Sequence, residues 1–151
     1  MSYALPEFLA HALAMENEAA DRYLELADMM EAHINLDVAA IFRDMHRFSI
    51  MHRDSIKEHV GEIELPQLKS WQFRWVAPTE VGDEEGFDYM MTPHNALQYA
   101  RDNEERAMRF YQTVAEQTDD AEVRRLAAEF AEEEKEHTEA LEDWLERVPP
   151  A

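Results

Sequence analysis

The chain is expected to be all-α: one antiparallel four-helix bundle whose second and third helices are joined by a long, aromatic-rich crossover. Three observations lead there. First, the helix breakers are segregated. The three glycines stand at 61, 82 and 86 and the six prolines at 6, 66, 78, 93, 149 and 150, leaving 7–60 and 94–148 free of both. Second, each of these segments carries apolar residues at three- and four-residue spacing on either side of a polar break. Third, the two halves repeat. Sliding them by 88 residues superposes Glu16 on Glu104, Ala19 on Ala107, Tyr23 on Tyr111 and Ala27 on Ala115. Sliding by 85 superposes Val38 on Val123, Ile41 on Leu126, Ser49 on Glu134 and His52 on His137. A duplicated helical hairpin, with the shift of three absorbed in its turn, builds a four-helix bundle.

Helix α1 is expected over 6–31, with Pro6 in its first turn and a stripe of Leu9, Ala12, Leu13, Glu16, Ala19, Ala20, Tyr23, Ala27 and Met30. A turn at His33–Asn35 follows, with Asn35 as N-cap of α2, 36–60, whose stripe is Val38, Ile41, Phe42, Met45, Ser49, His52 and Ile56. The crossover, 61–92, contains Trp71, Phe73, Trp75, Phe87 and Tyr89, so it is read as a strap packed along the bundle. It is expected to return the chain so that the third helix begins near the start of α1. Thr92 caps α3, 93–117, with Pro93 in its first position and a stripe of Leu97, Ala100, Glu104, Ala107, Met108, Tyr111 and Val114. Asp119 or Asp120 caps α4, 120–147, with Glu122 in its first turn. Its stripe runs Val123, Leu126, Ala127, Phe130, Glu134, His137, Leu141 and Trp144, and Pro149-Pro150 ends it. The 151 residues make one domain, 1–151.

Composition excludes several function classes. Thirty-four acidic against 14 basic residues give a net charge of −20, which repels phosphate backbones and anionic bilayers; neither nucleic acid nor membrane is an expected partner. With no cysteine there is no disulfide scaffold, thiolate site, iron–sulfur cluster or thiol nucleophile. No basic and apolar leader opens the sequence, and no apolar run approaches a membrane span, so a cytoplasmic protein is expected.

Chemistry is carried by polar residues on core-facing stripes. Glu16, Glu104 and Glu134 interrupt apolar runs, and a buried, unpaired carboxylate costs several kcal/mol. No Lys or Arg shares those stripes at these levels; the inward neighbours are His52 and His137. Counted from the hairpin turns, Glu16, Ser49, Glu104 and Glu134 share one height at the middle of the bundle. A histidine three residues beyond lies one turn on, on the same face. Carboxylate oxygens and imidazole nitrogens in one layer suit iron, manganese or zinc. Tyr23 and Tyr111 follow a core glutamate by seven residues, and helical side chains lean towards the N-terminus, so each phenol is expected to hydrogen-bond that carboxylate. His46, one turn before Ser49, is a substitute ligand candidate. His11, His33, His59 and His94 are read as surface or helix-end residues. Met45 and Met108 are read as core filler, and Met29-Met30 and Met90-Met91 as end residues meeting a partner subunit.

Two hairpins with Glu-x6-Tyr followed by Glu-x-x-His resemble the rubrerythrin-like branch of the ferritin-like superfamily. The strings that carry the likeness run from Met15 to Tyr23, Ala40 to Phe42 and Glu133 to His137, and it spans all four helices. The resemblance implies a ferritin-like bundle with a di-iron centre reacting with peroxide or dioxygen. It implies Glu16 and Glu104 as terminal carboxylates, Glu134 as a bridging carboxylate, and His52 and His137 as nitrogen ligands. His52 and Tyr23 would assist proton transfer. Two departures stand out: Ser49 replaces the second bridging glutamate, and Ala107 stands where these proteins carry a further carboxylate. The rubredoxin-like iron module is absent, so the resemblance implies an external donor of rubredoxin or flavoprotein type, and a homodimer. One or two irons per chain are expected. The competing readings are iron handling by ferroxidation and a metal-free interaction bundle.

Overall fold

The structure is a computed structural model that describes residues 3–66 and 90–150. Four helices form: α1 Leu5–Ala32, α2 Leu36–Val60, α3 Pro93–Gln117 and α4 Ala121–Arg147. These match the sequence reading to within a residue at each end. The crossover's five aromatic residues lie outside the described residues.

Local chemistry accounts for the helix ends. The Thr92 hydroxyl accepts from Asn95 N–H at 3.1 Å, while Asn95 Oδ1 accepts from Thr92 N–H at 3.3 Å. This reciprocal cap satisfies two groups the helix leaves open. Asp120 caps α4 by accepting from the backbone of Glu122 and Val123. Gly61 ends α2 at φ 52°, where a Cβ is disfavoured. The end of α1 is less orthodox. Asn35 N–H reaches Met30 O at 2.8 Å, a loop that needs a left-handed residue before it, and that residue is Ile34 at φ 61°. Asn35 does not cap α2 through its side chain; its amide instead donates to Met91 O at 2.9 Å.

That bond corrects the expected topology. α3 begins beside the turn between α1 and α2, at the opposite end from the start of α1. In an antiparallel hairpin α2 ends where α1 starts, so the end of α2 and the start of α3 lie at opposite ends of the bundle. The two hairpins are therefore related by a pseudo-twofold across the bundle. The core is divided accordingly. One apolar cluster joins the start of α1 and the end of α2 (Phe8, Leu9, Ile56) to the end of α3 and the start of α4 (Tyr111, Leu126, Phe130). The other joins Leu26, Met30, Phe42 and Met45 to Leu97, Ala100 and Leu141. Met30 and Met91 are buried in this second cluster, whereas Met29 and Met90 are exposed. Each methionine pair is thus half core; in α1 this follows because adjacent helical positions point about 100° apart, whereas Met90 and Met91 precede the first turn of α3. Between the clusters lies the polar layer.

Candidate metal centre

Glu16, Ser49, His52, Glu104 and Glu134 are all buried in that layer, one or more from each helix. Four helices of equal span on either side of their turns deliver these residues to one height, as counted from sequence. His137 is half-buried beside them. His52 is the hub. Its Nδ1 lies 2.7 Å from Glu16 Oε1 and 2.9 Å from Glu134 Oε1. Its Nε2 lies 2.9 Å from Glu133 Oε2, close but misaligned for a hydrogen bond. His137 Nδ1 approaches the second Glu134 oxygen at 3.6 Å.

The protons distribute as burial and charge require. Burial, then the Glu134 charge, raise the Glu16 carboxyl to about 7, against the pull of His52. Burial and the Glu134 charge also push Glu104 well above the carboxylate range. Burial pushes Glu134 the same way but is overcome by the close approach of the His137 and His52 imidazoles, which holds it ionised. Burial opposes a charge on His52, yet the Glu16 charge and the contacts to Glu133 and Glu134 win, so the imidazolium is favoured. Without a metal the layer is a proton-sharing cluster centred on Glu134.

Two groups have the reach of a metal site. Glu16, His52 and Glu134 offer ligand atoms within 4.8 Å of one another, and so do Glu104, Glu134 and His137. Glu134 belongs to both, the position expected of a bridging carboxylate. Its Oε2 and His137 Nδ1 are buried with no hydrogen-bond partner. Buried polar atoms are rarely left so, and a divalent cation between them would satisfy both. The donor set, carboxylates and imidazoles without thiolate, fits iron or manganese.

Several expectations need correction. Neither tyrosine hydrogen-bonds a carboxylate. The Tyr23 phenol accepts from the Asn103 amide at 3.4 Å, and the buried Tyr111 hydroxyl has no partner. After burial, the group that most raises Tyr23 is Glu104, and for Tyr111 it is Glu16. Each phenol thus senses the glutamate of the other half, because α1 and α3 run antiparallel. His46 does not join the cluster; its Nδ1 donates to Ala20 O at 2.8 Å. His11 is buried rather than superficial, its ring edge-on to Tyr3. Glu133 was not anticipated. Its repeat-equivalent is Phe48, which stacks on His137 at 5.9 Å. Each half therefore covers the other's histidine, one with an anion and one with an aromatic ring. Nothing in the run Glu132 to Glu134 marks 133 as inward.

The rubrerythrin family profile matches residues 7–90 and 95–151. The chain belongs to the rubrerythrin family. It is also similar to the crystal structure of an uncharacterized conserved protein from Magnetospirillum magnetotacticum MS-1. That chain is 56% identical, with a TM-score of 0.77 over 99% of this chain and 98% of that one. No curated protein matches. Among the described residues no helix is long and apolar enough to cross a membrane.

Proposed function

We propose that this protein is a non-haem iron oxidoreductase that reduces peroxide or dioxygen at a carboxylate centre in the middle of its bundle. The observation that carries the reading is Glu134: one buried carboxylate shared by two ligand groups, with its outer oxygen facing an unpartnered imidazole nitrogen. Glu16, Glu134 and His52 would hold one ion, and Glu104, Glu134 and His137 a second. Iron bound there supplies electrons and a Lewis acid for an oxygen ligand.

The chain's own residues do the rest. The Glu133 charge, 2.9 Å from His52 Nε2, favours a proton on that nitrogen without an aligned hydrogen bond, leaving Nδ1 free to ligate. Glu16 and Glu104, which are held towards the protonated form, release protons as a cation enters. Ser49, too short to bridge, leaves its side of the layer open to an exogenous ligand. Tyr23 keeps its hydroxyl proton while accepting from Asn103, so it is a proton donor near Glu104. Electrons come from a separate carrier, and a homodimer is the proposed assembly. Anaerobic reconstitution with ferrous iron followed by peroxide tests the reading. Ferrous oxidation far faster than in buffer is expected; oxidation no faster than in buffer would refute it.

A further inference from the structure

Two openings meet at His137. The first is polar: a cleft whose lining includes His52, Glu133, Glu136 and His137, leading towards the carboxylate layer. The second differs in character. It is a cavity of about 530 Å³ between α2 and α4, walled by Met45, Phe48, Met51, Leu141 and Trp144. Sites for small molecules occupy roughly 300–1,000 Å³ and are lined mainly by apolar and aromatic side chains with a few placed polar groups. Met45, among its lining residues, is fully buried, and Phe48, stacked on His137, lines both openings.

Charge decides what it would take. The chain has 34 acidic residues, yet among the described residues no acidic one lines this cavity. The one permanently charged group among the described lining residues is Arg147. Its Nε donates to Asp143 O at 3.3 Å, which aims the guanidinium. Among the described residues Arg147 has no carboxylate partner, whereas Arg43, Arg101, Arg109 and Arg125 each have one. Arg147 and His137 both line the cavity and are ten residues apart on α4, about 15 Å along the helix axis.

We infer that this cavity binds an amphipathic anion: an apolar chain or ring seated against Met45, Leu141 and Trp144, its single carboxylate paired with Arg147, its far end beside His137. An arginine fork matches a carboxylate in two parallel hydrogen bonds, and the acidic surface elsewhere repels the same ligand. This goes beyond the redox reading, because the binding needs no metal.

The test is isothermal titration calorimetry on the full, metal-free chain with decanoate as probe. Saturable binding of one decanoate per chain is expected, with acetate and decyltrimethylammonium binding far more weakly. R147Q is expected to weaken decanoate about tenfold, as losing a hydrogen bond to a charged group does. A140F, at an exposed position lining the cavity, is expected to abolish binding without lowering the melting temperature. Equal binding of the cation, indifference to R147Q and A140F, or decanoate acting only by dissociating a dimer would each overturn the inference; the last would assign the groove to a second copy of the chain. Iron loading, measured separately, is unaffected by this outcome.

Discussion

Replacing Glu16 by glutamine separates what the carboxylate costs the fold from what it does for a cation. The carboxyl is raised from 4.5 to about 7. A glutamate whose folded value is raised stabilises the fold fully only below its unfolded value. That stability is lost as pH climbs through the folded one. The shift is about 2.5 units at ~1.36 kcal/mol each, so at pH 8 an ionised Glu16 destabilises the metal-free protein by about 3 kcal/mol. Glutamine is nearly isosteric with the protonated acid. Its amide oxygen can accept from His52 Nδ1 and its amide nitrogen can donate to Glu134. Metal-free E16Q should therefore be more stable than the parent at pH 8 by about 3 kcal/mol, or roughly 6–12 °C in melting temperature for a chain of this size. The gain should fall below about 1 kcal/mol near pH 5 and vanish under pH 4. With ferrous or manganous ion at about a hundredfold over Kd, the parent should gain about 2.7 kcal/mol by mass action and the variant far less, closing or reversing the gap. Thermal unfolding by circular dichroism, with chelator and with metal, reads both effects. Metal-free E16Q that is less stable than the parent at pH 8 would refute the reasoning, because Glu16 would then be an ordinary stabilising partner of His52.

Other outcomes follow from the same layer and from the helix ends. Without metal, the melting temperature should fall as pH rises from 5 to 8. The raised values of Glu16, Glu104, His52 and His137 all make the folded state hold protons that the unfolded chain releases, while Glu134 is ionised in both states across that window. With metal present the trend should reverse, because the cation competes with those protons; a flat profile in both conditions would count against a proton-sharing cluster. Ser49→Glu should raise the number of metals per chain measured by elemental analysis, and an unchanged number would mean the two halves are wrongly aligned. Ile34→Gly should stabilise the fold by about 1 kcal/mol by removing a β-branched residue from φ 61°. A loss of stability on denaturant titration would show that Ile34 makes contacts outweighing its backbone strain.

The four helices and their breaks were legible because glycine and proline are confined to the edges of two long periodic segments, and because Thr92, Pro93 and Asp120 are strong end signals. The layer was legible because buried charge is costly enough that three glutamates on apolar stripes demanded a common explanation, and equal spacing from the turns placed them at one height. Periodicity does not say which end of one hairpin meets which end of the other. For that reason the start of α3 was misplaced, and each tyrosine was assigned to the glutamate of its own helix. Nor does it resolve neighbours within a run of one residue type, so Glu133 went unnoticed beside Glu134. His11 illustrates a further limit. A histidine off the main stripe reads as superficial, yet near the start of α1 Tyr3 covers it.

Everything proposed for the layer depends on a divalent ion held by Glu134 between the two hairpins. Crystals grown with manganese, with diffraction collected near its absorption edge, test it most directly. An anomalous peak is expected within bonding distance of the Glu134 carboxylate, flanked by Glu16 and His52 or by Glu104 and His137. Manganese elsewhere on the acidic surface, with no peak at Glu134, would contradict it.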